Sequence, residues 1–161
     1  MEMHGTNMIG CKPEEIPMRI VIANDHGGVE LKSSIVKDLE AKGHTVVNLG
    51  VNTDEAVDYP DMARLATEKF LEGGFDFGIV VCGTGIGISM AANKVRGIRC
   101  ALLHDLFTAE MSKKHNNANF LAFGGRISYT TPVLDMIDVF MSTQFEGDRH
   151  ARRVAKIDAM S

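Results

Sequence analysis

Five short apolar runs, separated by stretches with helical spacing, constrain this chain more than any other feature. The runs are MRIVIAN (18–24), HTVVNLG (44–50), FDFGIVVC (75–82), IRCALLH (98–104) and NFLAFGG (119–125). Near-continuous apolar character over so few residues is the pattern of strands buried on both faces. Between the first two runs, VELKSSIVKDLEAKG places Leu31, Ile35 and Leu39 on one helix face, with Gly43 as a C-cap. A helix over 61–72 carries Met62, Leu65, Ala66 and Phe70 on one side, and another runs from the glycine-rich stretch to about Val95. DLFTAEMSKKHN begins at Asp105, a good N-cap, and TPVLDMIDVFMSTQF aligns Val133, Ile137 and Met141. EGDRHARRVAKIDAM reads as a helical tail. This alternation predicts an α/β fold: a doubly wound three-layer sandwich, Rossmann-like, with a five-stranded parallel sheet and a C-terminal helical tail.

The 161 residues suit one domain, and no repeat, low-complexity segment or linker divides them. Residues 1–17 lack the charged start and apolar stretch of a signal peptide and read as a disordered extension, so the domain spans 18–161. A net charge of −4 gives no electrostatic case for nucleic acid as a partner. No apolar run is long enough for a membrane span. The three cysteines, at 11, 82 and 100, form no CxxC pair, which argues against a disulfide scaffold or structural zinc. Free thiols suit a reducing compartment, so a cytoplasmic location is expected. The six histidines show no HxxxH spacing, and no metal is expected. His4, His44, His104 and Cys11 carry no functional expectation, and Cys100 reads as core.

In open parallel sheets, ligands sit beyond the C-terminal strand ends. The residues to weigh are therefore Asp25 and His26, Cys82 to Gly87, His104 and Asp105, and Gly124 to Arg126. In CGTGIGISMAANK, glycines 83, 85 and 87 leave backbone N–H groups bare at a helix start, which favours an anion. The plain alternative is a tight turn without a ligand. A dinucleotide loop needs GxGxxG after the first strand; here the pattern is GxGxG after the third, although Asp105 stands about 20 residues on. A Walker loop needs GK[ST], which is absent. Free cysteine is usually an inert buried residue. At a strand end facing a helix N-terminus, however, Cys82 is placed to take a proton next to a carbonyl while N–H groups hold the resulting enediolate. Thr84 offers a hydroxyl to move a proton between neighbouring oxygens.

Asp25 can serve simply as an N-cap, but His26 beside it has no capping role and points to a ligand. Tyr59, in DYP, lies in a loop near the same rim and is equally consistent with a structural role. His115, next to Asn116, can answer the negative end of its helix or take part in chemistry. Arg149 and Arg153 are four residues apart on the tail helix and suit a phosphate, while Arg152 and Lys156 suit a solvated face.

DHGG, DYP, CGTGIGISMAANK, KKHNNAN and EGDRHARR follow one another in this order. In this combination, the chain from Met18 onward resembles type B ribose 5-phosphate isomerases, which group with the galactose 6-phosphate isomerase subunits. The resemblance implies a cofactor-free aldose–ketose isomerase of the pentose phosphate pathway, interconverting ribose 5-phosphate and ribulose 5-phosphate. It assigns the base to Cys82, the anion hole to the loop of Gly83, Gly85 and Gly87, and the loop hydroxyl to Thr84. Ring opening falls to His115 with Asn116 beside it, and a sugar hydroxyl to Asp25. Phosphate binding falls to His26, Arg149 and Arg153, with His150 and Tyr59 lining the site. Some members use a glutamate where this chain has Ile88, so this chain resembles the cysteine type. The family's sites are shared between subunits, which implies a homodimer or tetramer. The alternatives are a six-carbon substrate, allose 6-phosphate or galactose 6-phosphate, and a non-catalytic nucleotide or phosphate-ligand module, which needs neither Cys82 nor His115.

Overall fold

Each apolar run becomes a strand: β1 Arg19–Asn24, β2 Thr45–Asn48, β3 Phe77–Cys82, β4 Cys100–Leu102 and β5 Phe120–Gly124. Between and after them lie α1 Val29–Ala41, α2 Tyr59–Leu71, α3 Ile86–Ala92, α4 Leu106–Lys114, α5 Val133–Ser142 and α6 Arg149–Asp158. The computed structural model describes residues 16–160. The expected extension lies outside them except for its last two residues, as do His4 and Cys11. All strand pairs are parallel, in the order β2-β1-β3-β5-β4. β4 thus steps to the outer edge and β5 returns to fill the gap beside β3.

Right-handed crossovers in this order send α1 and α4 to one face and α2 and α3 to the other, and α5, after the last strand, packs on the face of α1 and α4. The core divides accordingly. Ile79 and Val81 of β3 join Ile35, Leu39, Ala109, Ile137 and Phe140 on the first face. Val80 and Cys82 join Ala63, Ala66, Ile88 and Ala92 on the second. Period-two alternation along β3 therefore sends Cys82 to the α2–α3 side. Gly78 lies on that side opposite Phe120, and a Cβ there would overlap the Phe120 ring.

Some local expectations shift. α2 starts at Tyr59 rather than 61, because Pro60 falls in the first turn, where a missing N–H costs nothing. Its buried face is Ala63, Ala66 and Thr67, and Leu65 is exposed. Small residues there let α2 approach α3 and the sheet closely. α1 buries Lys32 with Ile35 and Leu39, while Leu31 is only partly covered. Cys100 stands at the head of the edge strand β4 and packs at the margin of the core instead of in its middle. No helix among the described residues is long and apolar enough to cross a membrane.

Candidate active site

The C-terminal ends of β1 and β3 converge. The Cys82 side chain, only 4% exposed, turns back into the glycine loop, where its Sγ accepts the Gly85 N–H at 3.1 Å. Gly85 holds φ at +77°, and a Cβ there would lie 2.8 Å from the Phe123 carbonyl carbon. Both the turn and the close approach therefore require glycine. Thr84 Oγ1 accepts the Ile86 N–H, the first of α3, at 3.2 Å and keeps its own hydroxyl proton to donate. With two N–H groups of the loop thus engaged, those of Gly83, Thr84 and Gly87 remain as candidates to hold an anion.

Asp25 is indeed an N-cap: Oδ1 accepts the Gly27 N–H at 2.8 Å in a 3-10 turn, His26–Gly28. The cap uses one of its two carboxylate oxygens. Gly27 runs against the glycine loop, its Cβ position 2.8 Å from Gly83 N. His26 Nδ1 accepts the Val57 N–H at 3.3 Å. The Tyr59 ring lies against Gly87, 2.7 Å from a Cβ placed there. Asp25, His26, Tyr59 and Cys82 to Gly87 thus form one cluster. Ile88 is fully buried in the core, with no polar function at that position.

Two further residues belong to this cluster. Because β5 pairs with β3, Arg126 arrives beside the loop: its N–H donates to Gly83 O at 2.9 Å, and Nη1 lies 3.3 Å from a Cβ built on Gly83. The strand-end rule pointed at Arg126 but gave it no role, since the β3–β5 pairing was not legible. Tyr129 Oη accepts the Gly124 N–H at 2.9 Å, and burial raises its pKa above the ordinary tyrosine value. Nothing in the local sequence distinguishes it.

His115, Asn116, Arg149, His150 and Arg153 lie elsewhere. α4 leaves the C-terminal edge after β4 and ends where β5 begins, so His115, its C-cap, stands at the opposite end of the sheet. α6 is fixed there too, since Arg99, just before β4, bonds Asp158 at 3.0 Å and Asn117 O at 2.9 Å. The His115 and His150 rings stack at 4.1 Å, 7° from parallel. Glu146 lies 4.0 Å from His115 Nε2 and 3.9 Å from both His150 Nε2 and Arg149 Nη1. His150 is 4% exposed and its Nε2 has no hydrogen-bond partner among the described residues. Burial, then the charges of His115 and Arg149, hold its pKa below the ordinary histidine value. His115, Glu146 and His150 bring three ligand-type atoms within 4.8 Å. Two parallel rings cannot both hold one ion in their planes, so this arrangement is not a metal centre without ring rotation. Arg149, Arg153 and Asn116 are exposed around it.

The family model for Ribose/Galactose Isomerase matches residues 20–157. This chain belongs to that family. Among its solved members, ribose-5-phosphate isomerase B from Clostridium thermocellum superposes with a TM-score of 0.85 at 45% identity, covering 89% of this chain and 97% of that one. Ribose-5-phosphate isomerase B from Mycoplasma genitalium, solved with bound ribulose-5-phosphate, gives 0.82 at 42% identity, covering 88% and 95%. The Mycoplasma pneumoniae protein named "Probable ribose-5-phosphate isomerase B" is 43% identical over 141 residues, 87% of this chain and 93% of that protein. The Ribose/Galactose Isomerase assignment fits the five-stranded parallel sheet and places the CGTGIG loop and the EGDRHARR helix within one family framework.

Proposed function

We propose that this chain is an aldose–ketose isomerase that interconverts ribose 5-phosphate and ribulose 5-phosphate. The observation that carries the reading is the Cys82 sulfur, seated at a strand end and accepting an N–H of the same glycine loop that carries the Thr84 hydroxyl. His115 opens the sugar ring by moving a proton at the ring oxygen. The Cys82 thiolate then takes the C2 proton of the open aldose. The N–H groups of Gly83, Thr84 and Gly87 hold the enediolate, and Arg126 adds a positive charge beside them. Thr84 passes a proton from O2 to O1, and Cys82 returns its proton to C1, giving the ketose. Asp25 accepts from a sugar hydroxyl. His26, Arg149 and Arg153 bind the phosphate, with Tyr59, Asn116 and His150 lining the site.

One chain does not bring these groups together, because the thiol and His115 stand at opposite ends of the sheet. The site is completed by a second copy. The β4 edge supports this: along it runs a groove of about 410 Å³ lined by Cys100, Leu102, Met111, Asn116 and Ile157. Met90 and Phe107 flank the edge, 63% and 69% exposed. A two-fold axis perpendicular to β4 reverses the strand direction in the second copy. The His115 end of one chain then meets the Cys82 end of the other.

Replacing Cys82 with alanine tests the assigned base. Turnover of ribose 5-phosphate is expected to fall by about three orders of magnitude with the circular dichroism spectrum unchanged. A folded variant with near-normal kcat removes Cys82 from the mechanism. The family description also covers galactose, so kcat/KM for ribose 5-phosphate is compared with that for six-carbon sugar phosphates. A higher value for the latter moves the substrate to that class.

A further inference from the structure

Lys32 is out of character for its place. It occupies the buried stripe of α1 with Ile35 and Leu39 and is 1% exposed. A lysine in such a position normally has a carboxylate partner. Here Nζ donates instead to two backbone carbonyls, Leu49 O at 3.0 Å and Val51 O at 2.8 Å. Burial draws its pKa down to about 8. A buried cation without a counterion opposes stability, and an apolar side chain of the same length fits a helix core better. What the lysine supplies is a pair of donors aimed at one loop.

That loop leads into the substrate cluster. Leu49 and Val51 flank Gly50, whose φ is +81° and whose Cβ position lies 2.6 Å from Asn24 O. The carbonyls on either side are held by Lys32 while Gly50 presses on Asn24, next to Asp25 and His26. The chain then crosses 52–56 without regular structure. It reaches His26 through the Val57 N–H and enters α2 at Tyr59, whose ring lies on Gly87. A ring nitrogen that accepts an N–H carries no proton, so a neutral His26 is protonated at Nε2. That leaves Nε2 as a donor, the form that suits a phosphate oxygen.

We propose that Lys32 is a positioning residue: by holding the β2–α2 loop it fixes the ring tautomer of His26 and the seat of Tyr59 against the glycine loop. The assignment rests on the sugar phosphate reading of the site. It persists across pH, because a neutral amine still has two N–H donors for the two carbonyls.

Lys32→Met keeps an unbranched side chain, one heavy atom shorter, and removes the donors. KM for ribose 5-phosphate is expected to rise about tenfold, with kcat within about twofold of wild type. Long-range ¹H–¹⁵N spectra of histidine-labelled protein report the tautomer directly. Wild-type His26 is expected to carry its proton on Nε2, and Lys32→Met to show a mixture of tautomers. An unchanged KM in folded Lys32→Met, or a wild-type His26 protonated on Nδ1, overturns the assignment. Should Lys32→Met not fold, Val57→Pro removes the donor to His26 from the loop side. It is expected to raise KM in the same way, and an unchanged KM in this variant overturns the proposal equally. The tautomer measurement needs no substrate. A wild-type protein that turns over no sugar phosphate therefore overturns the isomerase reading separately.

Discussion

Subunit complementation offers the most direct check on a divided active site. β5 has five residues, so at about 3.3 Å per residue the two ends of the sheet stand about 17 Å apart. Proton transfer needs heavy atoms within about 3 Å of the sugar atoms they serve. Cys82 and His115 of one chain therefore cannot act on one small substrate. Cys82→Ala and His115→Ala each leave every shared site with one defect, so each protein alone is expected to lose at least about two orders of magnitude in kcat/KM. His115 is partly exposed, with its ring on His150 and Nε2 4.0 Å from Glu146, so the fold is expected to tolerate its loss. Subunits exchanged at equal amounts form hybrid pairs half the time. Each hybrid holds one site with both defects and one site with none, so the mixture recovers about a quarter of wild-type activity. The assay couples ribulose 5-phosphate formation to a detectable product before and after exchange, with hybrids counted by native mass spectrometry. Hybrids that form without any gain over the parents would refute the two-chain site.

Two stability predictions follow from the core. Gly78→Ala puts a methyl group into the Phe120 ring, and denaturant titration is expected to show a loss of about 2–3 kcal/mol, partly restored by adding Phe120→Leu. For Lys32, the folded pKa of about 8 lies below the free value of 10.5, so the unfolded chain binds the extra proton between those limits. Wild type is therefore expected to gain about 3 kcal/mol relative to Lys32→Met as pH rises from 8 to 10.5, and parallel stability curves for the two proteins count against a buried, charged Lys32.

Strand and helix order was legible because continuous apolar runs and 3.6-residue spacing are local properties. The glycine loop was legible for the same reason, since three glycines at a strand–helix junction leave few conformations. The pairing of β5 with β3 was not, because nothing within a strand names its neighbour. That pairing is what delivers Arg126 to the loop. Lys32 was open to detection: it falls three and seven residues before Ile35 and Leu39, on the same stripe. Residue type masked its position, since a lysine is read as solvated. Leu65 misled in the opposite way. An apolar residue counted toward a buried face, yet the contact is made by Ala63, Ala66 and Thr67 because α3 comes close.

The division of the candidate site also follows from order alone. In an all-parallel sheet, a residue that ends any strand and one that just precedes any strand stand at opposite ends of the sheet. Cys82 ends β3, and His115 precedes β5. Within the proposed site the phosphate meets both ends, His26 from one copy and Arg149 and Arg153 from the second. Binding a sugar phosphate and pairing two chains are then linked equilibria. Any factor by which pairing tightens the phosphate is the factor by which the phosphate tightens the pair. In that proposed site the exposed arginines of α6 would act on substrate affinity and on assembly through one set of contacts.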